Sequence, residues 1–364
     1  VVAANAVRST KFRVREGSAR LGFVPLCDCA PIVVAYELGL FARLGLRVQL
    51  SREVGWATIR DKIALRELEA AHAPAAMVLG LTFGLSSFKV PCLTGLVLNL
   101  HGNAITLSNR LWEAGVRNAS SFRDFIRSKS AGTTVTLGVA FCWSSHNFLL
   151  QKWLRAADLD PTRDVQIAVV PPPQMVANLK AGNLDGYCVG EPWNSLAVIR
   201  RAGWVTELSS SITPRHPEKV LLVRSDFAES RPDEHELLVA ALLEACEFCQ
   251  RVENREKVAQ LLAGRKYLNV NQEAILRSLC GPFMFGKDRT EDVPDLHLFS
   301  GEGVNEPGLD KAVWVQRTLV ETGALPLSGQ LNRAALASLF RTDIFQSAAG
   351  RLSVPRWGET PVEP

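Results

Sequence analysis

Cys142 and His146 stand four residues apart in CWSSHNF, a spacing that sets a thiol and an imidazole on one helix face. Asn178 offers an amide further along the chain. A Cys/His/Asn set performs nucleophilic chemistry when the ring activates the thiol and the amide orients the ring. Spacing is its only support here. Nothing places Cys142 on a sharp nucleophile turn, and seven other cysteines (Cys27, Cys29, Cys92, Cys188, Cys246, Cys249 and Cys280) dilute its significance. Metal chemistry fares no better. Cys246 and Cys249 form a C-x-x-C, but inside a helical pattern, and Cys27 and Cys29 have one residue between them. With no second C-x-x-C and no nearby histidine pair, no metal is expected. Several cysteines lie in apolar runs such as DGYCVG and LLEACEFCQ, where a free thiol acts as a small hydrophobe. The sequence is therefore read as a chain of free thiols, suited to a reducing compartment, with no catalytic residue and no cofactor.

Composition narrows the classes further. The 364 residues are 47% hydrophobic and 21% charged, with a formal net charge of +4, the balance of a folded globular chain long enough for two lobes. Lys and Arg are scattered without a run of five, so direct nucleic-acid binding has no electrostatic footprint. No stretch of eighteen uninterrupted apolar residues is present, so no membrane span is expected. The chain starts at Val1, and VVAANAV sets Ala4 and Ala6 in an A-x-A relation reminiscent of a signal-peptide cleavage region, without the preceding basic and apolar segments. Location stays open on this reading: periplasmic or membrane-associated if a signal peptide was removed, cytoplasmic otherwise.

Short apolar runs alternate with helical periodicity, the pattern of an α/β fold. Strands are expected at 19–24, 46–51, 75–80 (AAMVLG), 103–108, 133–140, 164–170, 184–190 and 218–225. Helices are expected at 30–44, 55–68, from Ser144 or Ser145 to Ala157, from the Pro171–Pro173 run to Gly182, and from Glu234 to Cys249. The pattern changes near 102 and again near 217. This divides the chain into an N-terminal tail (1–18), a first lobe (19–101 plus 217–325), a second lobe (102–216) and a C-terminal extension (326–364). Two crossings make a hinge, with a ligand between the lobes. The stretch after 325 is expected to be one helix and a loosely held end.

Four segments carry a resemblance: LGFVPLCDCAPIVVAYELGLFARLGL, GWATIRD, VPPPQMVANLKAGNLDGYCVGEPWN and HPEKVLLVRSDF. Across about residues 19–320 the chain resembles the substrate-binding proteins of bacterial nitrate and bicarbonate ABC transporters and their cytoplasmic nitrate-sensor relatives. The resemblance implies a two-lobed periplasmic-binding-protein-like fold of type II with an anion in the cleft. It also implies a nitrate pocket at Trp56, His146, Gly190 and Lys219. A fifth position, usually Gln, falls on Asn103, which shortens the amide arm by one methylene. The turn before His146 departs as well, reading Cys142-Trp143-Ser144-Ser145, and Trp143 is expected to narrow the cleft mouth.

These residue types suit an acceptor-only anion. Trp56 donates an indole N–H, Asn103 an amide, His146 a ring N–H, Gly190 a backbone N–H, and Lys219 a counter-charge. The pocket is therefore expected to hold donors and no carboxylate. Taken singly, each has a structural reading: a core Trp, a capping Asn, a partly buried helix His, a turn Gly and a solvated Lys. Hydrogen carbonate carries an O–H needing an acceptor, which Glu191 or Glu218 would have to supply. The function expected is nitrate or nitrite binding without catalysis, for an ABC permease and ATPase. The alternatives are a cytoplasmic sensor sequestering an RNA-binding antiterminator of response-regulator type, and a bicarbonate-binding protein.

Overall fold

The computed structural model describes residues 18–85, 88–129 and 134–352. The A-x-A motif and the last twelve residues lie outside them. Two mixed sheets organise the chain. The first joins β1 (Ala19–Phe23), β2 (Val48–Arg52), β3 (Ala70–Pro74), β4 (Cys92–Leu93) and β5 (Val97–His101). The second holds β6 (Asn103–Ser108), β7 (Thr136–Val139), β8 (Gln166–Val169), β9 (Gly186–Gly190) and β10 (Gly203–Leu208). The chain then re-enters the first sheet as β11 (Pro217–Arg224), forms a hairpin from β12 (Phe283–Gly286) and β13 (Arg289–Glu291), and adds β14 (His297–Leu298) to the edge beside β5.

In the first sheet β1 runs parallel to β2 and β3, while β11 is antiparallel to β3 and β5. The apolar run 30–44 forms two helices, Ala30–Glu37 and Leu40–Arg43, because Gly39 turns through a left-handed conformation at φ 69°. The stretch 75–80 is not the strand expected from its sequence. It belongs to the helix Ala76–Phe83, and the strand precedes it as Ala-Ala-His-Ala-Pro. A short run apolar on every side looks the same as a buried strand or a buried helix, so periodicity cannot separate them. Ser144 does cap its helix, accepting a bond from the Asn147 N–H at 3.3 Å, and the helix runs Ser145–Ala156.

Two further departures concern the end of the chain. The hairpin β12–β13 packs on the second sheet, where Phe283 and Phe285 bury against Val198, Val205 and Leu208. The C-terminal stretch holds two helices, Arg333–Leu339 and Thr342–Leu352, and is not loose through 352. Phe340 is 1% exposed and pairs with Thr94, and the second helix packs on the long helix Pro232–Gln250. Its apolar face has a partner, which a sequence window cannot show. Among the described residues no helix is long and apolar enough to cross a membrane.

The two passages between sheets are tied together. His101 and Arg215 both sit at positive φ, 62° and 55°. The Arg215 N–H donates to His101 Nε2 at 2.7 Å, and His101 Nδ1 donates to the Asp295 carbonyl at 3.0 Å. The ring of His216 lies 5.2 Å from that of His101.

Candidate functional site

Strand β11 is the site's spine. Its register with β5 is irregular on both sides of Lys219, and a bulge of this kind breaks the two-residue alternation of side chains. Glu218 and Lys219 therefore both turn into the interior and are fully buried. The Lys219 ammonium lies 2.8 Å from Asp28 Oδ2 and also bonds the Glu218 carboxylate. Asp28 comes from the short turn Cys27–Cys29, and its other oxygen meets His72 Nε2 of β3 at 2.7 Å.

The second lobe's side closes over this cluster. Asn103, the first residue of β6, donates from Nδ2 to Glu218 Oε2 at 2.5 Å. Gly190, the last residue of β9, stands opposite Asn103 in register. A Cβ on Gly190 would lie 3.2 Å from Asn103 Oδ1 and 3.5 Å from Asp28 Oδ2, so a side chain there would press on the cluster and its neighbours would have to yield. His146, in the first turn of its helix, has Nε2 3.6 Å from Glu218 Oε1. Trp56, first residue of the helix Trp56–Ala64, packs edge-on to His146 with centroids 5.4 Å apart, and Lys219 Nζ is 4.9 Å from the indole centroid.

The structure thus gathers Trp56, Asn103, His146, Gly190 and Lys219 at one buried point between the sheets. It overturns the expectation of a pocket without carboxylates. A lysine buried alone would shed its proton, so its charge has to be matched inside the protein. Burial opposes the ammonium, but Asp28 and Glu218 outweigh it and hold the Lys219 pKa above its usual value. Burial likewise opposes the Asp28 carboxylate, and Lys219 and His72 reverse that, holding its pKa well below the usual range. Asn103 also differs from expectation: its NH₂ is taken by Glu218, and its buried Oδ1 has no partner. Trp56 Nε1 and both ring nitrogens of His146 are buried without hydrogen-bond partners. A native fold rarely leaves such groups unpaired, so these atoms are available to a partner in the cleft.

Glu218 was taken only as a neighbour able to supply an acceptor; Asp28 and His72 were missed as members of the cluster. Their signal was present: one acid in PLCDCAP and one histidine in AAHAP interrupt apolar runs, where a buried charge needs a partner. Glu191, considered as an acceptor, serves the seam between lobes. Its Oε2 accepts from Ser195 N at 3.1 Å and Ser278 Oγ at 2.7 Å, and its carbonyl accepts from Cys27 N at 2.7 Å. Trp143 is buried against Gly80 across the same seam. The Cys/His/Asn set does not assemble. Asn178 is engaged with the Gln174 carbonyl and Asn183, and burial raises the Cys142 pKa where activation would lower it. All eight cysteines are free thiols.

Two α/β lobes with a buried polar cluster between them define the periplasmic-binding-protein fold of type II. The chain belongs to the NMT1-like family, whose profile matches residues 14–263. It is similar to the nitrate/nitrite binding protein NrtA of Synechococcus elongatus, 32% identical over 90% of this chain and 76% of that one. It is also 38% identical to the bicarbonate transport ATP-binding protein CmpC of the same organism, over 92% of this chain. The chain spans about half the length of that protein, 49%. The crystal structure of the periplasmic nitrate-binding protein NrtA from Synechocystis superposes with a TM-score of 0.87 at 30% identity, covering 93% of this chain and 89% of that one.

Proposed function

We propose that the chain is a binding protein, not an enzyme, that closes on nitrate or nitrite as the solute-binding part of an ABC-type uptake system. The observation that carries this reading is the convergence of Trp56, His146 and Lys219 from both sides of the cleft, two of them with unpartnered ring nitrogens. The similarity to NrtA supports the ligand class, and the similarity to CmpC supports permease and ATPase partners. In this reading residues 19–101 with most of 217–325 move as one lobe, and residues 102–216 move as the other, carrying the hairpin Phe283–Glu291 packed on the second sheet. They hinge at the tied passages around His101 and Arg215, and Asn103, Gly190 and His146 travel together toward Trp56 and Lys219. Residues 326–352 travel with the first lobe, since Phe340 pairs with Thr94 and the helix Thr342–Leu352 packs on Pro232–Gln250.

One observation favours a second ligand. Glu218 and the free Asn103 Oδ1 are acceptors inside the cluster, which suits hydrogen carbonate and its O–H. A cytoplasmic sensor would share the site, and a pull-down distinguishes it: an antiterminator co-purifies in place of a permease and ATPase. Isothermal titration with nitrate, nitrite, hydrogen carbonate and sulfate tests the ligand. Nitrate or nitrite is expected to bind in the micromolar range, about −8 kcal/mol. Binding of hydrogen carbonate alone selects the second ligand, and binding of sulfate alone overturns both.

A further inference from the structure

The cluster's charges do not balance for an anion. Asp28 and Glu218 bring two carboxylates and Lys219 one ammonium, all buried, an excess of one negative charge before any ligand arrives. The surrounding histidines do not make up the difference. Burial, then the Lys219 charge, pushes His146 down to about 3; burial also lowers His72, and takes His216 well below its usual value. Glu218 is faced by Lys219 from its own strand, by His216 just before it, by Asn103 from β6 and by His146 from the helix Ser145–Ala156. His101, His72 and Cys188 stand further off, with Asp28 across Lys219 and Lys152 behind His216. Among the described residues no second ammonium or guanidinium bonds the carboxylate.

Hydrogen-bond inventory leads to the same place. A neutral imidazole has one N–H and one lone pair. His146 Nε2 faces Glu218 Oε1 at 3.6 Å, and Nδ1 is buried without a partner. An acceptor-only anion at Nδ1 would leave the ring between two acceptors, and one at Nε2 would crowd the carboxylate. An imidazolium, or a protonated Glu218, lets the ring serve the anion and the carboxylate together.

Resting on the oxyanion reading above, we propose that the site takes up one proton with each anion it binds, held by the His146–Glu218 pair. The proton comes from solvent, no bond to the anion is made or broken, and the added positive charge offsets the added negative one. Affinity for a fully ionised anion therefore falls as the pH rises.

Titration of nitrate by calorimetry in imidazole, bis-tris and tris, cationic buffers of differing ionisation heat, counts the protons directly. About one proton per nitrate is expected, with Kd rising roughly tenfold per pH unit above neutrality, the slope of a single linked proton. Glu218→Gln should bring uptake toward zero and tighten binding at pH 8 relative to the parent. Nitrogen-15 shifts of the His146 ring in the unaltered protein should move from neutral to imidazolium values on adding nitrate, a readout independent of the variant. Heats that do not depend on buffer, with a pH-independent Kd, overturn the proton uptake and leave the anion reading intact. No nitrate heat in any buffer overturns both.

Discussion

Asn103 stands directly across from Gly190 in the antiparallel pairing of β6 and β9, and its amide oxygen lies 3.2 Å from where a Cβ on Gly190 would be. The same Cβ would meet Leu26 Cδ2 at 3.3 Å, from the other side of the cleft. Gly190→Ala should therefore keep the lobes from seating and weaken anion binding by about 1–2 kcal/mol, roughly tenfold in Kd. Calorimetry measures this, and an unchanged Kd would mean that closure does not bring Gly190 so near.

Lys219 has two dependants. Lys219→Met leaves Asp28 and Glu218 as buried carboxylates without their cation, and breaking a buried pair on one side costs about 3–5 kcal/mol. Both nitrate binding and thermal stability should fall. Lys219→Met combined with Asp28→Asn should recover part of the stability and none of the binding. Paired calorimetric and thermal-unfolding measurements separate the two roles.

Acid should destabilise the chain well before its carboxylates titrate. His146 and His297 are held down to about 3 and His235 to about 4, each chiefly by burial. In the unfolded chain these rings titrate near 6.5, so between that value and about 3 to 4 the unfolded state holds more protons. Their contribution is complete above about pH 6.5 and is lost on acidification, about 1.4 kcal/mol per pH unit for each ring. Tm measured from pH 7 to 4 should drop progressively, and a flat profile would contradict the burial of these three side chains.

Gly80 and Trp143 meet across the seam, and a Cβ on Gly80 would fall 2.5 Å from the indole. Gly80→Ala should disfavour the closed form by about 1–3 kcal/mol, the usual cost of overpacking. Affinity falls although no pocket atom has changed. The first-sheet core itself should unfold at nearly the parent temperature.

Much of this arrangement was legible in the sequence, and the gaps have physical causes. Trp56, His146 and Lys219 were read from the resemblance and the fold brings them together, while the Ser144 cap followed from residue type alone. Glu218 was placed beside the pocket and not in it because strand alternation sends neighbours to opposite faces; the bulge at 217–220 suspends that rule, and nothing local in HPEKV announces it. The misreading of 75–80 came from uniform burial, which erases periodicity. Asp28 and His72 were visible as polar residues in apolar runs, but their pairing joins residues 44 apart. Only the folded chain shows that.

The cysteine pattern has a practical consequence. Six of the eight thiols are buried, Cys280 is half-covered, and Cys142 is exposed beside Trp143, where the lobes meet. With Cys280 replaced by Ser, an environment-sensitive dye on Cys142 would sit at the rim of the seam and brighten or dim as the two halves part. The molecule already carries the attachment point of an optical gauge for its own ligand.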